Sequence, residues 1–151
     1  MTQIRRALPA DAETLSRIAI AAKRHWQYPE RWMDLWLPQL TFAPEYFEVH
    51  ENWVVEQEGL PVAFSTLEER DDAFWVENMW VMPEYMGMGM GRKLFLHAVE
   101  LARQRGFNYL QLEAEPNAVG FYEKMGLRII GQHQYELEGQ PRILPLMEIS
   151  L

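Results

Sequence analysis

From Gly87 to Gly91 glycine stands at every second position, Gly87-Met88-Gly89-Met90-Gly91, and a helical apolar pattern begins directly behind it. Glycine lacks a Cβ, so it takes up positive φ and lets backbone N–H groups come close to another molecule. The same freedom makes it unfavourable inside a helix or strand, by roughly 0.5–1 kcal/mol relative to alanine. Alternating glycines therefore read as a tight connection. Behind them Leu94, Phe95, Ala98, Leu101 and Ala102 share one helical face, with Arg92, Lys93, Glu100 and Arg103 opposite. Gly106 is placed to cap that helix. Ahead of the loop, Phe74 to Val81 reads as a strand stopped by Met82-Pro83. After the helix, Tyr109 to Ala114 alternates apolar Leu110, Leu112 and Ala114 with polar neighbours. Strand, helix, strand in this order implies a right-handed parallel crossover.

The remaining elements are built around this unit. Ile4 to Leu8 reads as a short strand. Pro9-Ala10-Asp11 opens a helix carrying Leu15, Ile18, Ala19, Ala22 and Trp26 at helical spacing. Tyr28-Pro29-Glu30 breaks it, a short helix covers Arg31 to Leu37, and Pro38 to Pro44 is expected to be irregular. Trp53 to Gln57 and Pro61 to Leu67 join the Phe74 strand in an antiparallel meander, turned at Glu58-Gly59 and at Glu68 to Asp72. A short helix over Ala118 to Met125 ends at Gly126. Two closing strands, Arg128 to Glu136 and Arg142 to Leu151, pair, with an edge or a bulge expected at Pro145. The expectation is one domain over residues 1–151, an α+β fold with a mixed, mostly antiparallel twisted sheet of about seven strands and helices on both faces.

Composition narrows the chemistry. The chain has 151 residues and no cysteine, which removes disulfides, thiolate metal sites and a cysteine nucleophile. A formal net charge of -8 argues against nucleic acid, which calls for a basic footprint. It favours a cationic partner through long-range attraction, or serves solubility alone. Charges interrupt every early apolar stretch, and no segment nears the ~20 apolar residues of a membrane span. A cytoplasmic protein with no membrane partner is expected. His25, His50, His97 and His133 show no metal-ligand spacing, so no metal is expected. His97 is expected to face solvent.

The glycine loop runs into a helix N-terminus, where left-over N–H groups and the positive dipole end converge. Such a nest favours phosphates. Arg92 and Lys93 add positive charge where the dipole prefers acids, which points to a bound anion and not to helix stability. A Walker loop needs Ser or Thr after the lysine, and Leu94 follows Lys93. A dinucleotide fingerprint needs a third glycine where Arg92 or Leu94 stands. The reading left is a loop for the diphosphate of coenzyme A, against a plain glycine-rich turn without ligand.

Val81-Met82-Pro83-Glu84-Tyr85 followed by Met86-Gly87-Met88-Gly89-Met90-Gly91-Arg92-Lys93-Leu94 resembles the signature of the GNAT superfamily of acetyl-CoA-dependent N-acetyltransferases. There a strand ends in Val-x-Pro, then come Gln or Arg, two residues, Gly, one residue, Gly or Ala, and a long helix. Asn117-Ala118-Val119-Gly120-Phe121-Tyr122-Glu123-Lys124-Met125-Gly126-Leu127 is similar to that family's later motif. Two positions depart: Met86 replaces the usual Gln or Arg, and the usual Asn falls on Glu115, with Asn117 nearby.

The resemblance implies transfer of acetyl from acetyl-CoA to a primary amine by direct attack in a ternary complex; the alternative is a catalytically silent CoA-binding sensor. It implies a splayed central parallel strand pair, opened between Met79–Val81 and Leu112–Ala114 to admit the cofactor. The implied cofactor-binding residues are Met79, Trp80, Val81, Met86, Gly87, Met88, Gly89, Met90, Gly91, Arg92, Lys93, Asn117 and Tyr122. Met79 N–H would serve as oxyanion donor, Val81 would hold the pantetheine arm, and Tyr122 would protonate the leaving thiolate, its phenol matching the thiol's pKa range. Glu77, expected to be half-buried with a raised pKa, is one candidate base and Glu113 a second. Trp26, Tyr28 and Trp32, with Trp36 and Phe42, would cover the acceptor by cation–π contact, with Glu77 and Glu113 beside them. Polyamine, amino acid, drug-like amine and protein N-terminus all stay open as the small-molecule or peptide acceptor. The exposed final strands leave room for a homodimer.

Overall fold

The computed structural model of the chain describes residues 1–151. Its elements run β1 (Thr2–Arg6), α1 (Ala12–Arg24), α2 (Glu30–Leu40), α3 (Tyr46–Val49), β2 (Glu51–Gln57), β3 (Leu60–Arg70), β4 (Ala73–Val81), α4 (Met90–Gln104), β5 (Tyr109–Glu113), α5 (Val119–Lys124), β6 (Arg128–Leu137) and β7 (Gln140–Ser150). The seven strands form one sheet in the order β1-β2-β3-β4-β5-β7-β6. The pair β4–β5 is parallel, while β1–β2, β2–β3, β5–β7 and β6–β7 are antiparallel. This is the mixed α+β sheet expected from the strand–helix–strand order. The chain divides into two compact units, Met1–Leu67 with Asn78–His97, and Glu68–Glu77 with Ala98–Leu151.

In the first unit the turn between β2 and β3 is Glu58-Gly59, with φ of +51° and +81°. Positive φ at both central positions marks a type I′ hairpin turn, which favours glycine at the second of them. Ala63 and Phe64 are adjacent on β3 and therefore face opposite sides of the sheet. On one side Ala63 joins Val55, Met90 and Leu94 in a buried cluster on which Met79, Val81 and Tyr85 pack. Val62 joins the same cluster because the register shifts between Val55 and Glu56 and leaves it as the extra residue on β3. On the other, Phe42 meets Phe64 edge-on at 5.7 Å. α1 buries Leu15, Ile18 and Ala19 completely. Ser16 Oγ on α1 accepts the Phe42 N–H at 2.8 Å and so ties down the chain after α2. α2 runs through Pro38 to Leu40, beyond the expected stop at Leu37. The missing proline N–H falls in the last turn, where burial of Met33, Trp36 and Leu40 holds the helix. The short α3, in a stretch the sequence left without an element, buries Phe47.

In the second unit β4 pairs with β5 over Ala73–Trp75 and Tyr109–Gln111, and the ladder stops there. Phe74, Leu110, Leu112, Met147, Ala98 and Ala102 are all essentially inaccessible. The expectation at Pro145 needs correction. β7 lies between β5 and β6 and is not an edge, and the bulge is in β6, between Ile129 and Gly131. Pro145 sits in register with Gln132, and its carbonyl accepts the Ala114 N–H at 2.8 Å. At this end of the sheet the edge strand is β6, and at the other end it is β1. No helix is long and apolar enough to cross a membrane.

Candidate active site

The glycine loop lies in the first unit. A 3₁₀ turn, Pro83–Tyr85, leads out of β4, anchored by the Met82 N–H on the Val62 carbonyl at 2.8 Å. The Met86 N–H returns to the Pro83 carbonyl and the Met88 N–H to the Tyr85 carbonyl, at 3.2 and 3.3 Å. Gly87 and Gly89 follow at φ of +78° and +85°, which L side chains rarely adopt. A Cβ added at either would meet no protein atom within 4 Å. Chain packing therefore does not demand these glycines. Backbone conformation does, and the space in front of them is open. Lys93 N–H closes the first helical bond, to the Gly89 carbonyl at 3.0 Å. The amides of Met90 and Gly91 are thus left over at the helix end. Arg92 and Lys93 are exposed beside them, while Met90 and Leu94 are buried. Of the three interleaved methionines, Met88 is exposed, Met86 half-buried and Met90 part of the core.

The end of β4 is held from both faces. Met79 and Val81 pack on the cluster of Val55, Ala63, Met90 and Leu94. Asn78 and Trp80 point the other way into a polar chain that sequence reasoning did not find. Asn78 Nδ2 donates to Thr66 Oγ1 at 3.1 Å and to the Tyr46 hydroxyl at 3.3 Å. Asn78 Oδ1 accepts the Trp80 indole N–H at 3.2 Å. Thr66 in turn donates to Asn52 Oδ1, and Asn52 Nδ2 donates to the His50 carbonyl at 3.3 Å. Asn52 and Thr66 are 1% and 2% exposed, where an unsatisfied amide or hydroxyl would cost roughly 1–3 kcal/mol. The signal available was polar residues at inward strand positions, Asn52 among Trp53 and Val54, and Asn78 among Glu77 and Met79.

The aromatic cluster forms, with a different occupant. Tyr28 and Trp36 meet edge-on at 4.9 Å, and Trp32 lies 6.1 Å from Tyr28 and 5.9 Å from Trp36. The buried Lys23 ammonium sits 4.1 Å from the Trp36 ring centre and 4.9 Å from that of Tyr28. The cation–π position expected for an acceptor amine is filled by the chain's own lysine, carried on the last turn of α1. Trp26 stands apart, edge-on to His25 at 4.8 Å. Phe42 packs with Tyr46, Phe47 and Phe64. Beside it is an open hollow of about 430 Å³ lined by Pro38, Phe42, Ala43, Tyr46, Val49 and His50. His97 is half-buried and not solvated as expected, because its ring packs edge-on against Trp53 at 4.4 Å.

The second unit carries the titratable candidates. Tyr122 on α5 is buried, edge-on to Phe121 at 5.1 Å. Burial pushes its phenol well above the usual range, because the phenolate would be desolvated. That direction moves the phenol away from the thiol range expected for it. Glu77 is exposed, not half-buried as its aromatic neighbours suggested. Its Oε2 accepts the Trp75 indole N–H at 2.9 Å and pairs with Arg70 at 3.0 Å. Arg70 lies over the Trp75 ring at 4.0 Å and also reaches Glu68 at 3.3 Å. Glu113 is exposed and lies 4.0 Å from His133 Nδ1. Glu115 caps the 3₁₀ turn Pro116–Ala118, its Oε1 accepting from Asn117 N–H at 3.4 Å and Asn117 Nδ2 at 2.7 Å. The two residues at the departure from the motif are thus bonded to each other.

Comparison with known proteins agrees with this architecture. Residues 16–127 match the family model described as the Acetyltransferase (GNAT) family. The peptidyl-lysine N-acetyltransferase YjaB of Salmonella typhimurium is 34% identical over 99 residues, 64% of this chain and 62% of that protein. The match thus spans less than two thirds of that relative's length. A GCN5-related N-acetyltransferase from Rhodopseudomonas palustris superposes with a TM-score of 0.85 over 100% of this chain and 96% of its own, at 24% identity. The PaiA N-acetyltransferase of Thermoplasma acidophilum, solved in complex with coenzyme A, gives 0.80 over 100% and 99%, at 19% identity. With the family model covering most of the chain and the glycine loop, the strand before it and the later tyrosine motif falling inside that match, this protein belongs to the GNAT family of acetyltransferases.

Proposed function

We propose that the chain transfers the acetyl group of acetyl-CoA to a primary amine by direct attack in a ternary complex. The observation that carries this reading is the glycine loop. Two left-handed glycines face open space and lead into a helix end with left-over amides and two exposed cations. That combination suits a diphosphate. Backbone amides take the part that Met86 cannot, since a thioether donates no hydrogen bond.

In the reaction the amine nitrogen forms a bond to the thioester carbonyl carbon, and the carbon–sulfur bond then breaks. Charge develops first on the carbonyl oxygen, where the Met79 N–H acts as donor. Val81 and Trp80 carry the strand against which the pantetheine arm lies. Tyr122, protonated at neutral pH as any phenol is, offers its proton to the departing sulfur, and the phenolate it leaves takes up the proton that the nitrogen sheds as the amide forms. The acceptor ammonium loses its proton to Glu77, or failing that to Glu113. Exposure of Glu77 suits transfer through water. Lys23 already occupies the box of Tyr28 and Trp36, so the acceptor is read by Trp26, Trp32 and the carboxylates without displacing that contact. A lysine-containing peptide is the first acceptor to try, because a relative is named for peptidyl-lysine acetylation.

The test is thiol release from acetyl-CoA with a panel of lysine peptides, peptides with a free N-terminus, polyamines and amino acids, with the acetylated product identified by mass. Turnover with at least one amine is expected. Tight CoA binding with no turnover on any amine would favour the silent sensor, and no CoA binding would end the reading.

A further inference from the structure

We infer that Asn78 is a positioning residue for acetyl transfer, holding the Asn78–Met79 peptide whose N–H faces the thioester. The inference rests on the proposed reading of Met79 as oxyanion donor. The ladder between β4 and β5 ends at Trp75 and Gln111, so Glu77 to Val81 is not fixed by that pairing. Pairing with β3 holds the other edge of β4, out to the Met82 N–H on the Val62 carbonyl, so side chains must add the remaining restraint if a backbone N–H on the unpaired edge is to keep its aim. On the Met79 side the restraint is apolar packing, which resists translation and is indifferent to the tilt of a peptide plane. On the opposite side Asn78 is restrained at both ends of its amide. Both Nδ2 hydrogens are directed, to Thr66 and Tyr46, and Oδ1 receives the Trp80 indole. With donors and acceptor each assigned, the amide has one orientation, and a flip would set Nδ2 against the indole N–H.

The anchor point is deep. Thr66 uses its hydroxyl hydrogen on Asn52, which is 1% exposed and donates to the His50 carbonyl. The chain from His50 through Asn52 and Thr66 to Asn78 thus links β2, β3 and β4 across the sheet, in one unit. Asn78 is neither a proton donor nor a base here. It sets the direction of the adjacent N–H, and an oxyanion donor acts through direction.

The experiment compares the wild type with Asn78→Leu and Thr66→Val, both near-isosteric removals of the hydrogen-bonding groups. Steady-state kinetics is joined by the ¹³C shift of carbonyl-labelled acetyl-CoA bound without acceptor. Loss of one oxyanion donor costs about 10²–10³ in kcat. Misdirection of a donor that remains should cost less, about 10–100-fold for Asn78→Leu and several-fold for Thr66→Val, with KM for acetyl-CoA within about twofold. The bound carbonyl resonance should move from the wild-type position back toward that of free acetyl-CoA. Val54→Ala, a cavity in the fully buried part of β2, is the control that lowers stability without moving the resonance. If the wild-type resonance equals that of free acetyl-CoA, the oxyanion reading itself fails. If the wild type shows the displaced resonance and both polar-chain variants share it with unchanged kcat, the inference about Asn78 is overturned. Should Asn78→Leu fail to fold, Thr66→Val carries the same comparison alone.

Discussion

Gly89→Ala and Gly59→Ala form a matched pair. Both glycines are left-handed, at φ of +85° and +81°, and at both an added Cβ meets nothing within 4 Å. In the free protein the two substitutions therefore differ little. Each forces an L residue into the left-handed region, at about 1–2 kcal/mol. For a chain of this length that lowers Tm by about 2–8 °C. They diverge only when ligand is present. Gly59 turns the hairpin between β2 and β3, while Gly89 opens the helix end proposed to receive the diphosphate. A methyl group at Gly89 would stand in the approach of the phosphates to the amides, raising Kd for CoA by about 100-fold or more. The readout is calorimetric unfolding with and without CoA. At free CoA near 100 times the wild-type Kd, ligand adds about 2.7 kcal/mol to the wild type. That corresponds to a Tm gain of about 5–11 °C. Gly59→Ala should keep the whole gain, and Gly89→Ala should show about 0.4 kcal/mol, the value when CoA equals its Kd. Equal ligand gains in the two variants would refute the loop assignment, whatever their stabilities.

Further expectations concern the other groups of the site. Tyr122→Phe should lower kcat by about 10²-fold, in the range of general-acid effects, and wild-type turnover would remove Tyr122 from the chemistry. The same substitution should change alkaline unfolding. The folded phenol titrates above its unfolded value of 10.0, so between the two pKa values the unfolded chain has lost a proton that the native state retains. Stability from this group is complete below about pH 10 and is lost above it, at about 1.4 kcal/mol per pH unit. Tyr122→Phe should lack that slope in unfolding free energy measured from pH 9 to 12, and superimposable curves would contradict the burial. Lys23→Met keeps most of the side-chain volume and removes the charge, and should cost about 1–2 kcal/mol, seen as a Tm fall of about 2–8 °C. Unaltered Tm would mean the aromatic box gains nothing from its cation.

The parts of the fold carried by local pattern were legible in the sequence. The face Leu94, Phe95, Ala98, Ala102 placed α4, and the alternation Leu110, Leu112, Ala114 placed β5. Glu58-Gly59 turned where a positive φ pair is needed. What the sequence concealed depended on partners distant in the chain. Pro38 looked like a helix stop, because the burial of Trp36 and Leu40 that overrides it is tertiary. Glu77 looked half-buried from its aromatic neighbours, yet Arg70, seven positions earlier, holds it at the surface. Period-two alternation still put Glu77 on the side of Trp75 correctly, as the indole bond to its carboxylate shows. His97 looked solvated on a helical wheel, and only the pairing of β2 into the sheet brings Trp53 under it. Lys23 read as one more helical charge, since nothing local tells that Tyr28 and Trp36 fold back over its ammonium. Asn52, Thr66 and Asn78 are ordinary strand polar residues singly, and become a chain only through strand register.

Met90 and Leu94 share their buried neighbours with Met79 and Val81. The two places where a long cofactor would be gripped, near its phosphates and near its reactive sulfur end, are therefore supported by a common set of aliphatic side chains. Slackening at Val55 or Ala63 would disturb both grips together. A substitution at either position, remote from both grips, is expected to alter affinity and turnover at once.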